Sequence, residues 1–285
     1  MAGLAAPACI VPPMHMPPPQ ATANPALLPI SPDGRWYLKQ NVWLPVPHAP
    51  GNEVKLAATR AHVLIGAIVA VIAADVVWAA ALVVSLGYIS QLKDDRASVN
   101  MANVRTSDTL VEVAGVLAFG LMIFAGIAYA AWVFRAYKNL PGLGTAEVRN
   151  PPIWSALATF APVASLFIPY AVVVEMWKAS DPGVLHSTAN HRRTVPVWPA
   201  IPTWWLTWIA GNLTFYGARF AMASTTSTRL DAIGNGHALA LAALLFDVGA
   251  GVILIAIVRT ITARQAARYH ALMSAAYGPP EQSIQ

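Results

Sequence analysis

The sequence is poor in charge, since only 11% of its 285 residues are Asp, Glu, Lys or Arg, where soluble domains carry about 25%. It has a single cysteine, Cys9, which excludes an internal disulfide and a metal site built from several cysteines. It has no Walker lysine, no flavin or haem motif and no histidine pair at metal-ligand spacing on one helix. These absences argue against a soluble enzyme, and they predict no catalytic residue, no metal and no cofactor.

Hydrophobic residues make up 56% of the chain instead. Long runs with almost no charge cover residues 62–90, 109–134 and 237–258, and a fourth run, 203–223, contains Arg219. Each run exceeds the roughly 20 residues that a helix needs to span about 30 Å of hydrocarbon. The sequence therefore predicts an all-α integral membrane protein that crosses the bilayer several times.

A further apolar segment, residues 152–179, holds Pro162 and Pro169 and ends near Glu175. Proline removes a backbone donor and clashes with the preceding turn, and lipid cannot satisfy the groups that a break exposes. One interpretation is four transmembrane helices plus a proline-broken re-entrant or interfacial helix pair. The alternative is five transmembrane helices, because kinked spanning helices are common.

The distribution of Lys and Arg separates these two topologies, because cytoplasmic loops carry the excess. With five spans, the residues divide eight against nine between the two faces, leaving Arg219 aside. With four spans, thirteen lie on the face that carries both termini, and the other face has only Lys93, Arg96, Arg105 and Arg229. We therefore favour four spans in a bacterial inner or plasma membrane, with the N- and C-termini in the cytoplasm.

The flanking segments differ from the apolar middle. Residues 1–50 contain 12 of the 23 prolines, so residues 1–55 are predicted to be a mostly disordered cytoplasmic tail. Within this tail, residues 31–43 combine a turn signal with three aromatics, which indicates a small folded element or a segment resting on headgroups. The membrane domain is predicted over residues 56–272, and residues 273–285 are predicted to be a disordered end.

Two stretches carry a resemblance to a known family. "WVFRAYKN" is followed by "PPIWSALATFAPVASLFIPYAVVVEMWKASDP", and the match extends over about residues 60–270. Together they resemble a family of bacterial multi-pass membrane proteins catalogued only as a domain of unknown function. The places of its pattern are occupied by Trp132, Arg135, Asn139, Trp154, Phe160, Pro162, Pro169, Glu175 and Trp177. The resemblance implies a membrane protein and brings no activity with it.

Ionisable residues inside the apolar runs are costly and call for partners. Asp75 and Asp247 fall near the centres of the first and last runs, Glu112 opens the second, and Arg219 lies late in the fourth. We interpret these four as a candidate intramembrane polar network, either a proton or ion pathway or a set of buried groups that fixes helix register. With four spans, Glu112 and Arg219 share a leaflet and are expected to form an ion pair.

A second candidate cluster lies at the membrane interface and comprises Arg135, Trp154, Glu175, Trp177 and Arg259. The net charge of +5 fits juxtamembrane Lys and Arg facing anionic headgroups, so we expect a lipid bilayer as partner and no nucleic acid. The favoured function is non-enzymatic, an interaction or organising protein whose proline-rich tail meets a protein partner. The alternatives are a small-solute or proton-coupled transporter that uses the intramembrane acids and an enzyme acting on lipid at the interface.

Overall fold

The computed structural model of the protein describes residues 28–32, 34–39, 41–46, 53–55, 57–145, 148–161, 164–223 and 228–277. These residues form two short strands, β1 (Trp36–Lys39) and β2 (Val42–Pro45), and the helices α1 (Ala58–Asp94), α2 (Met101–Lys138), α3 (Pro152–Leu157), α4 (Ile168–Ala179), α5 (Ala189–Thr194), α6 (Ala200–Ala223) and α7 (Arg229–Tyr277). Apart from the strand pair, the described chain is helical, as the sequence predicts.

Three of these helices, α1, α2 and α7, are long and apolar enough to cross a membrane by length and composition. They contain the predicted runs 62–90, 109–134 and 237–258. The fourth predicted run, 203–223, is also helical and forms most of α6. Its tryptophans and polar side chains make it less apolar than the other three, and it is not among the helices that meet the criterion.

The long helices alternate in direction. Ile89, near the end of α1, lies beside Gly234 at the beginning of α7, and Ile68 lies beside Gly251 further along α7. A Cβ atom on Gly251 would lie only 3.2 Å from the Ile68 side chain, so the missing side chain lets α1 and α7 approach closely. Such contacts through small residues are typical of helix packing in membranes.

Helix α6 runs antiparallel to α7. Gly236 of α7 lies against Met222 at the end of α6. The rings of Tyr129 in α2 and Trp204 in α6 lie 6.3 Å apart. The end of α2 and the beginning of α6 are therefore at the same end of the bundle, although 61 residues separate Lys138 and Ala200.

The main hydrophobic core lies at that same end. It joins fully buried side chains from five helices, α1, α2, α4, α6 and α7: Leu64, Trp132, Val133, Val172, Met176, Ile201, Ile257 and Ile261. A smaller cluster around Leu82 and Leu244 fills the other half of the bundle. The largest buried side chains are therefore concentrated where the connecting segments are long.

Residues 152–179 form two short helices, α3 and α4, rather than one continuous helix. Short 3-10 turns at 158–160 and 164–166 lie between them. Pro169 occupies the first turn of α4, where a missing N–H breaks no intrahelical bond. Pro162 lies outside the described residues.

Residues 36–45 correct the prediction of a mostly disordered tail over 1–55. They form an antiparallel hairpin in which Lys39 pairs with Val42, and Asn41 in its turn has a φ of +62°, a conformation that asparagine tolerates. Leu44 is buried against Leu143 and Leu272. Burial of that side chain on α7 gives the short hairpin a support that an isolated hairpin lacks.

The end of the chain also differs from its prediction. Helix α7 continues without interruption to Tyr277, so residues 273–277 of the predicted disordered end are helical. At 1.5 Å per residue the 49 residues of α7 make a helix about 73 Å long, more than twice the thickness of the hydrocarbon. Residues 278–285 lie outside the described residues.

Candidate functional site

One end of the bundle carries nearly all of the structure outside the long helices. It comprises the hairpin, the described residues of 139–199 and α7 from residue 259 onward, and we call it the platform. At the other end, which we call the far end, residues 95–100 join α1 to α2 and residues 224–228 join α6 to α7. Side-chain hydrogen bonds between segments distant in sequence lie mainly in the platform.

Arg268 is the central residue of the platform. Its side chain is fully buried, with 0% of its surface exposed. Nε donates to the carbonyl of Leu143 at 2.5 Å, and Nη1 donates to the carbonyls of Ala179 and Asp181 at 2.7 and 3.1 Å. One guanidinium thus binds the turn after α2 and the end of α4 to α7, because its fork of donors reaches several carbonyls at once.

Asp181 gives this arrangement its negative charge. Its carboxylate lies 3.1 Å from His191 Nε2 and 3.5 Å from Arg264 Nη2. Partial burial opposes ionisation, but the N–H of Gly183 together with His191 and Arg264 holds the pKa of Asp181 below its ordinary value. The carboxylate therefore stays charged and links α7 to the segment after α4.

His186 is an electrostatic neighbour of Arg268. Burial, with the positive charges of Arg268 and Arg192 in addition, lowers the pKa of His186 below its ordinary value. Its ring packs edge-on against Trp36 of β1, with centroids 5.2 Å apart. A neutral imidazole therefore joins the hairpin to the arginine cluster.

Trp177, one of the predicted interfacial residues, lies in an aromatic stack. Its ring is stacked on Trp198 with centroids 5.3 Å apart, and Arg264 lies over its face at 3.9 Å. Its Nε1 donates to the carbonyl of Pro196 at 3.0 Å. The stack holds the segment before α6 against α4 and α7, and the cation–π contact adds to this packing.

Glu175, another predicted residue, binds the loop after α2. Its Oε2 accepts a hydrogen bond from Tyr137 Oη at 2.7 Å, and Oε1 accepts one from the backbone N–H of Arg149 at 2.9 Å. Tyr137 Oη in turn accepts from the backbone N–H of Asn150 at 3.1 Å. The carboxylate and the phenol together close the loop onto α2 and α4.

Asn139 binds the segment that leads into α1. Its Oδ1 accepts from the backbone N–H of Lys55 at 3.2 Å, and its Nδ2 donates to the carbonyl of Lys55 at 3.0 Å. Trp132, about two helical turns before Asn139 in the same motif, donates from Nε1 to Thr262 of α7 at 3.2 Å. These motif residues make structural contacts within the platform rather than lining a cleft.

The remaining predicted interfacial residues do not join this network. Trp154 of α3 is exposed, Arg259 of α7 is exposed, and Arg135 of α2 is half-buried. In the described part of the chain, neither arginine forms an ion pair with Glu175. The cluster therefore divides into a hydrogen-bonded pair, Glu175 and Trp177, and three residues at the surface.

The predicted intramembrane acids come together in the interior. Asp75 of α1 is 5% exposed, and its Oδ2 has no hydrogen-bond partner. Asp247 of α7 is its electrostatic neighbour and lies against Gly211 of α6, where a Cβ atom would come within 2.9 Å of Oδ1. Trp78, one turn after Asp75, has a buried Nε1 that is also without a partner.

Glu112 and Arg219 are not part of this interior pair. Both side chains are exposed on the outside of the bundle. The ion pairs found across the described residues are Lys93–Asp231, His191–Asp181 and Arg264–Asp181. The expected ion pair between Glu112 and Arg219 therefore does not form within one chain.

The contacts of the platform residues are hydrogen bonds, ion pairs and ring stacking. Within the described ranges, no three His, Cys, Asp or Glu side chains are close enough together to hold a metal ion. Helices α3 and α4 enclose an apolar groove of about 320 Å³. Its lining is Asn150, Trp154, Leu157, Ala158, Ala161, Ala164 and Ile168.

Sequence reasoning missed Arg268 and Asp181. Arg268 stands out by no motif of its own, and its partners are 125 and 89 residues away. The turns "PGLG" and "SDPG" (residues 141–144 and 180–183) give the only sequence signal, since carbonyls in such turns need donors. The sequence pattern does not indicate which side chain donates to these carbonyls.

Long apolar helices, two buried acids in the interior and a polar platform at one end define a multi-pass helical membrane protein. The chain belongs to the DUF4328 family, a domain of unknown function, whose family model matches residues 95–263. This agrees with the resemblance to an unknown-function family that the motif residues indicate. Comparisons with curated proteins and with solved structures gave no match.

Proposed function

We propose that the protein is a four-span protein of the bacterial inner membrane that acts without catalysis, as an interaction or organising protein. Its platform and its proline-rich tail face the cytoplasm and meet a protein partner there. The observation that carries this proposal is the asymmetry between the ends of the bundle. Buried polar side chains bind the platform into a defined surface, whereas short connections join the helices at the far end.

The arrangement of the helices supports four spans. Helix α2 ends and α6 begins at the platform, so the chain between them starts and finishes at the same end. The thirteen-to-four distribution of Lys and Arg agrees with a cytoplasmic platform. Helix α6 has 24 residues, about 36 Å, which is enough to span the hydrocarbon.

Two polar side chains in the middle of α6 bond within the helix, which supports its placement in the bilayer. Asn212 donates to the carbonyl of Trp208 at 2.8 Å, and Thr214 donates to the carbonyl of Ala210 at 2.8 Å. Such bonds to the preceding turn reduce the cost of a polar side chain in hydrocarbon. The low apolarity of α6 is thus compatible with a span.

The positions of α3 and α4 support a re-entrant helix pair. Near its base, Tyr137 binds Glu175. Near its tip, Phe160 lies against Gly126 of α2. Gly126 comes 11 residues before Tyr137, which is about 16 Å along that helix. The segment therefore extends partway along the bundle and returns to the platform.

Photo-crosslinking in living cells tests the proposed role. A photoreactive amino acid at Asn190 or Arg193, which are exposed on the platform, is compared with one at Ala97, which is exposed at the far end. We expect discrete protein adducts from the platform positions and none from Ala97. Equal adducts at all three positions, or adducts with lipid alone, would contradict a protein-binding platform.

A small-solute or proton-coupled transporter is the second candidate, and the observation that favours it is the buried, unpartnered Oδ2 of Asp75. Transport requires that Asp75 and Asp247 exchange a proton or ion with both faces. We would measure proton flux into vesicles containing the purified protein and compare Asp75→Asn with Glu53→Gln, an exposed acid at the platform. Flux that is lost in Asp75→Asn alone would favour transport over the interaction role.

A further inference from the structure

Two opposite charges lie unpaired on neighbouring apolar helix faces. Glu112 of α2 is exposed, and Val116, one turn later, is an exposed apolar neighbour. Arg219 of α6 is exposed as well, and Tyr216 and Phe220 beside it are exposed. Neither charge forms an ion pair with any described residue.

The two charges lie at nearly the same depth in the bundle. The ring of Trp78 contacts both Gly115 of α2 and Phe215 of α6, which places these two positions at one level. Glu112 comes three residues before Gly115, and Arg219 comes four residues after Phe215. Because α2 runs toward the platform and α6 runs away from it, both charges lie on the far-end side of that level. At 1.5 Å per residue, Glu112 is about 4.5 Å and Arg219 about 6 Å from the level of Trp78 toward the far end.

Trp78 also explains why the charges do not meet within one chain. Its indole, which belongs to α1, lies between α2 and α6 and keeps them apart. Helix α2 is poorly covered as a result: 11% of its most apolar 18 residues are buried, compared with 28% in α1 and in α7. Lipid satisfies apolar side chains, but a charge in hydrocarbon is costly unless it finds a partner of opposite charge.

We propose that a second copy of this chain covers this side of the bundle, so that Glu112 of each copy pairs with Arg219 of the other. Two copies in one membrane have the same orientation, and a twofold axis along the membrane normal places α2 of one beside α6 of the other at equal depth. A twofold dimer therefore contains two Glu112–Arg219 ion pairs. The inference rests on the proposed placement of α2 and α6 in the bilayer.

Disulfide crosslinking between two differently tagged copies tests this contact. In a Cys9→Ser background, one copy carries Glu112→Cys and the other Arg219→Cys, and both are produced together and oxidised in native membranes. We expect a crosslinked species that carries both tags. The matched control pair is Val83→Cys with Leu245→Cys, two exposed positions on α1 and α7, and we expect no such species from it.

Three outcomes would overturn the proposal. The first is that no crosslinked species carries both tags, although labelling from outside shows Ala97 and Ala189 on opposite sides of the membrane. This result would refute the dimer and leave the four-span topology intact. Another is a disulfide that forms only within a single chain carrying both cysteines, since the pair would then be intramolecular. The third is equal crosslinking of the control pair, which would indicate random collision.

A charge exchange separates an ion pair from mere proximity. We expect Glu112→Arg and Arg219→Glu each to weaken self-association by at least about tenfold, because like charges then face each other at both contacts. The chain that carries both substitutions should regain most of the loss. Self-association measured by energy transfer between labelled copies in vesicles reports this, and a double variant no better than the single ones would contradict the pair.

Discussion

The two ends of the bundle are held together by different means. At the platform, Arg268 is fully buried and donates to three carbonyls from two separate segments. At the far end, Lys93 and Asp231 lie 2.6 Å apart, but both side chains are over 40% exposed. Buried donors that satisfy several carbonyls fix the course of a long connection, whereas a short connection needs no such donor.

The difference has a physical origin in the length of the connections. The 61 residues between α2 and α6 contain many backbone groups that pair with no helix partner. Those groups must find donors or water when they fold onto the bundle. The platform supplies the side chains Arg268, Asn139 and Glu175 for this purpose. Polar side chains of the platform are thus the means by which the long connection is held on the bundle.

Replacement of Arg268 by methionine should give the largest loss. The substitution keeps most of the volume but leaves the carbonyls of Leu143, Ala179 and Asp181 without their donor. A buried polar group without its partner costs about 1–3 kcal/mol, so we expect the free energy of unfolding to fall by about 3 kcal/mol or more. Unfolding of the purified protein in detergent measures it, and a loss no greater than that of Arg193→Met, an exposed control, would contradict the role of Arg268.

Removal of one hydroxyl at the platform should have a medium effect. Tyr137→Phe deletes the donor to Glu175 and the acceptor for the Asn150 N–H, and we expect a loss of about 1–2 kcal/mol. Tyr88 of α1 is the matched control, because its hydroxyl makes no hydrogen bond within the described residues. Equal effects of Tyr137→Phe and Tyr88→Phe would remove the distinction between the two ends.

Acidification should weaken the platform by a smaller amount. Burial and the neighbouring arginines lower the pKa of His186 below its ordinary value of 6.5, so the unfolded chain binds its proton more readily. The stability that the neutral ring provides is complete above pH 6.5 and is lost as the pH falls toward the folded-state pKa. We expect the melting temperature of the unchanged protein, relative to that of His186→Phe, to fall between about pH 7.5 and about pH 5.5.

The pH range separates His186 from Asp181. The pKa of Asp181 is below its ordinary value of 3.8, so its contribution is present above pH 3.8 and is lost only in stronger acid. A titration between pH 7.5 and 5.5 therefore reports on His186 rather than on Asp181. An unchanged slope in His186→Phe would mean that another group controls the pH dependence.

Replacement of Lys93 at the far end should give the smallest effect. Lys93 and its partner Asp231 are both more than 40% exposed, and ion pairs in such positions contribute little. We expect the melting temperature of Lys93→Ala to equal that of the unchanged protein. A clear fall in the melting temperature at moderate salt would show that the far end depends on its surface charges. It would contradict the difference proposed between the far end and the platform.

The long helices could be predicted from the sequence because one physical rule, the thickness of the hydrocarbon, sets the minimum length of their apolar runs. The four apolar runs all lie within α1, α2, α6 and α7. The hairpin was within reach, since "WYLKQNVWLP" places aromatic residues on both sides of an asparagine that tolerates a left-handed conformation. The many prolines around it outweighed that signal.

The platform network could not be predicted because its bonds join residues far apart in sequence. The motif drew attention to Asn139, Glu175 and Trp177, but its spacing does not reveal that Asn139 binds Lys55, 84 residues earlier. Arg268 resembles any arginine on a cationic helix until its carbonyl partners are placed. The proximity of Asp75 and Asp247 was easier to predict, because each lies near the middle of an apolar run and the two share a depth in antiparallel helices.

Labelling of two single cysteines with a membrane-impermeant reagent tests the four-span topology most directly. In a Cys9→Ser background, Ala97→Cys marks the far end and Ala189→Cys marks the platform; both positions are exposed. Four spans place them on opposite sides of the membrane, so we predict that intact cells label only Ala97→Cys and that Ala189→Cys reacts only after the membrane is opened. Labelling of both positions from the same side would contradict the account, because residues 152–179 would then cross the bilayer.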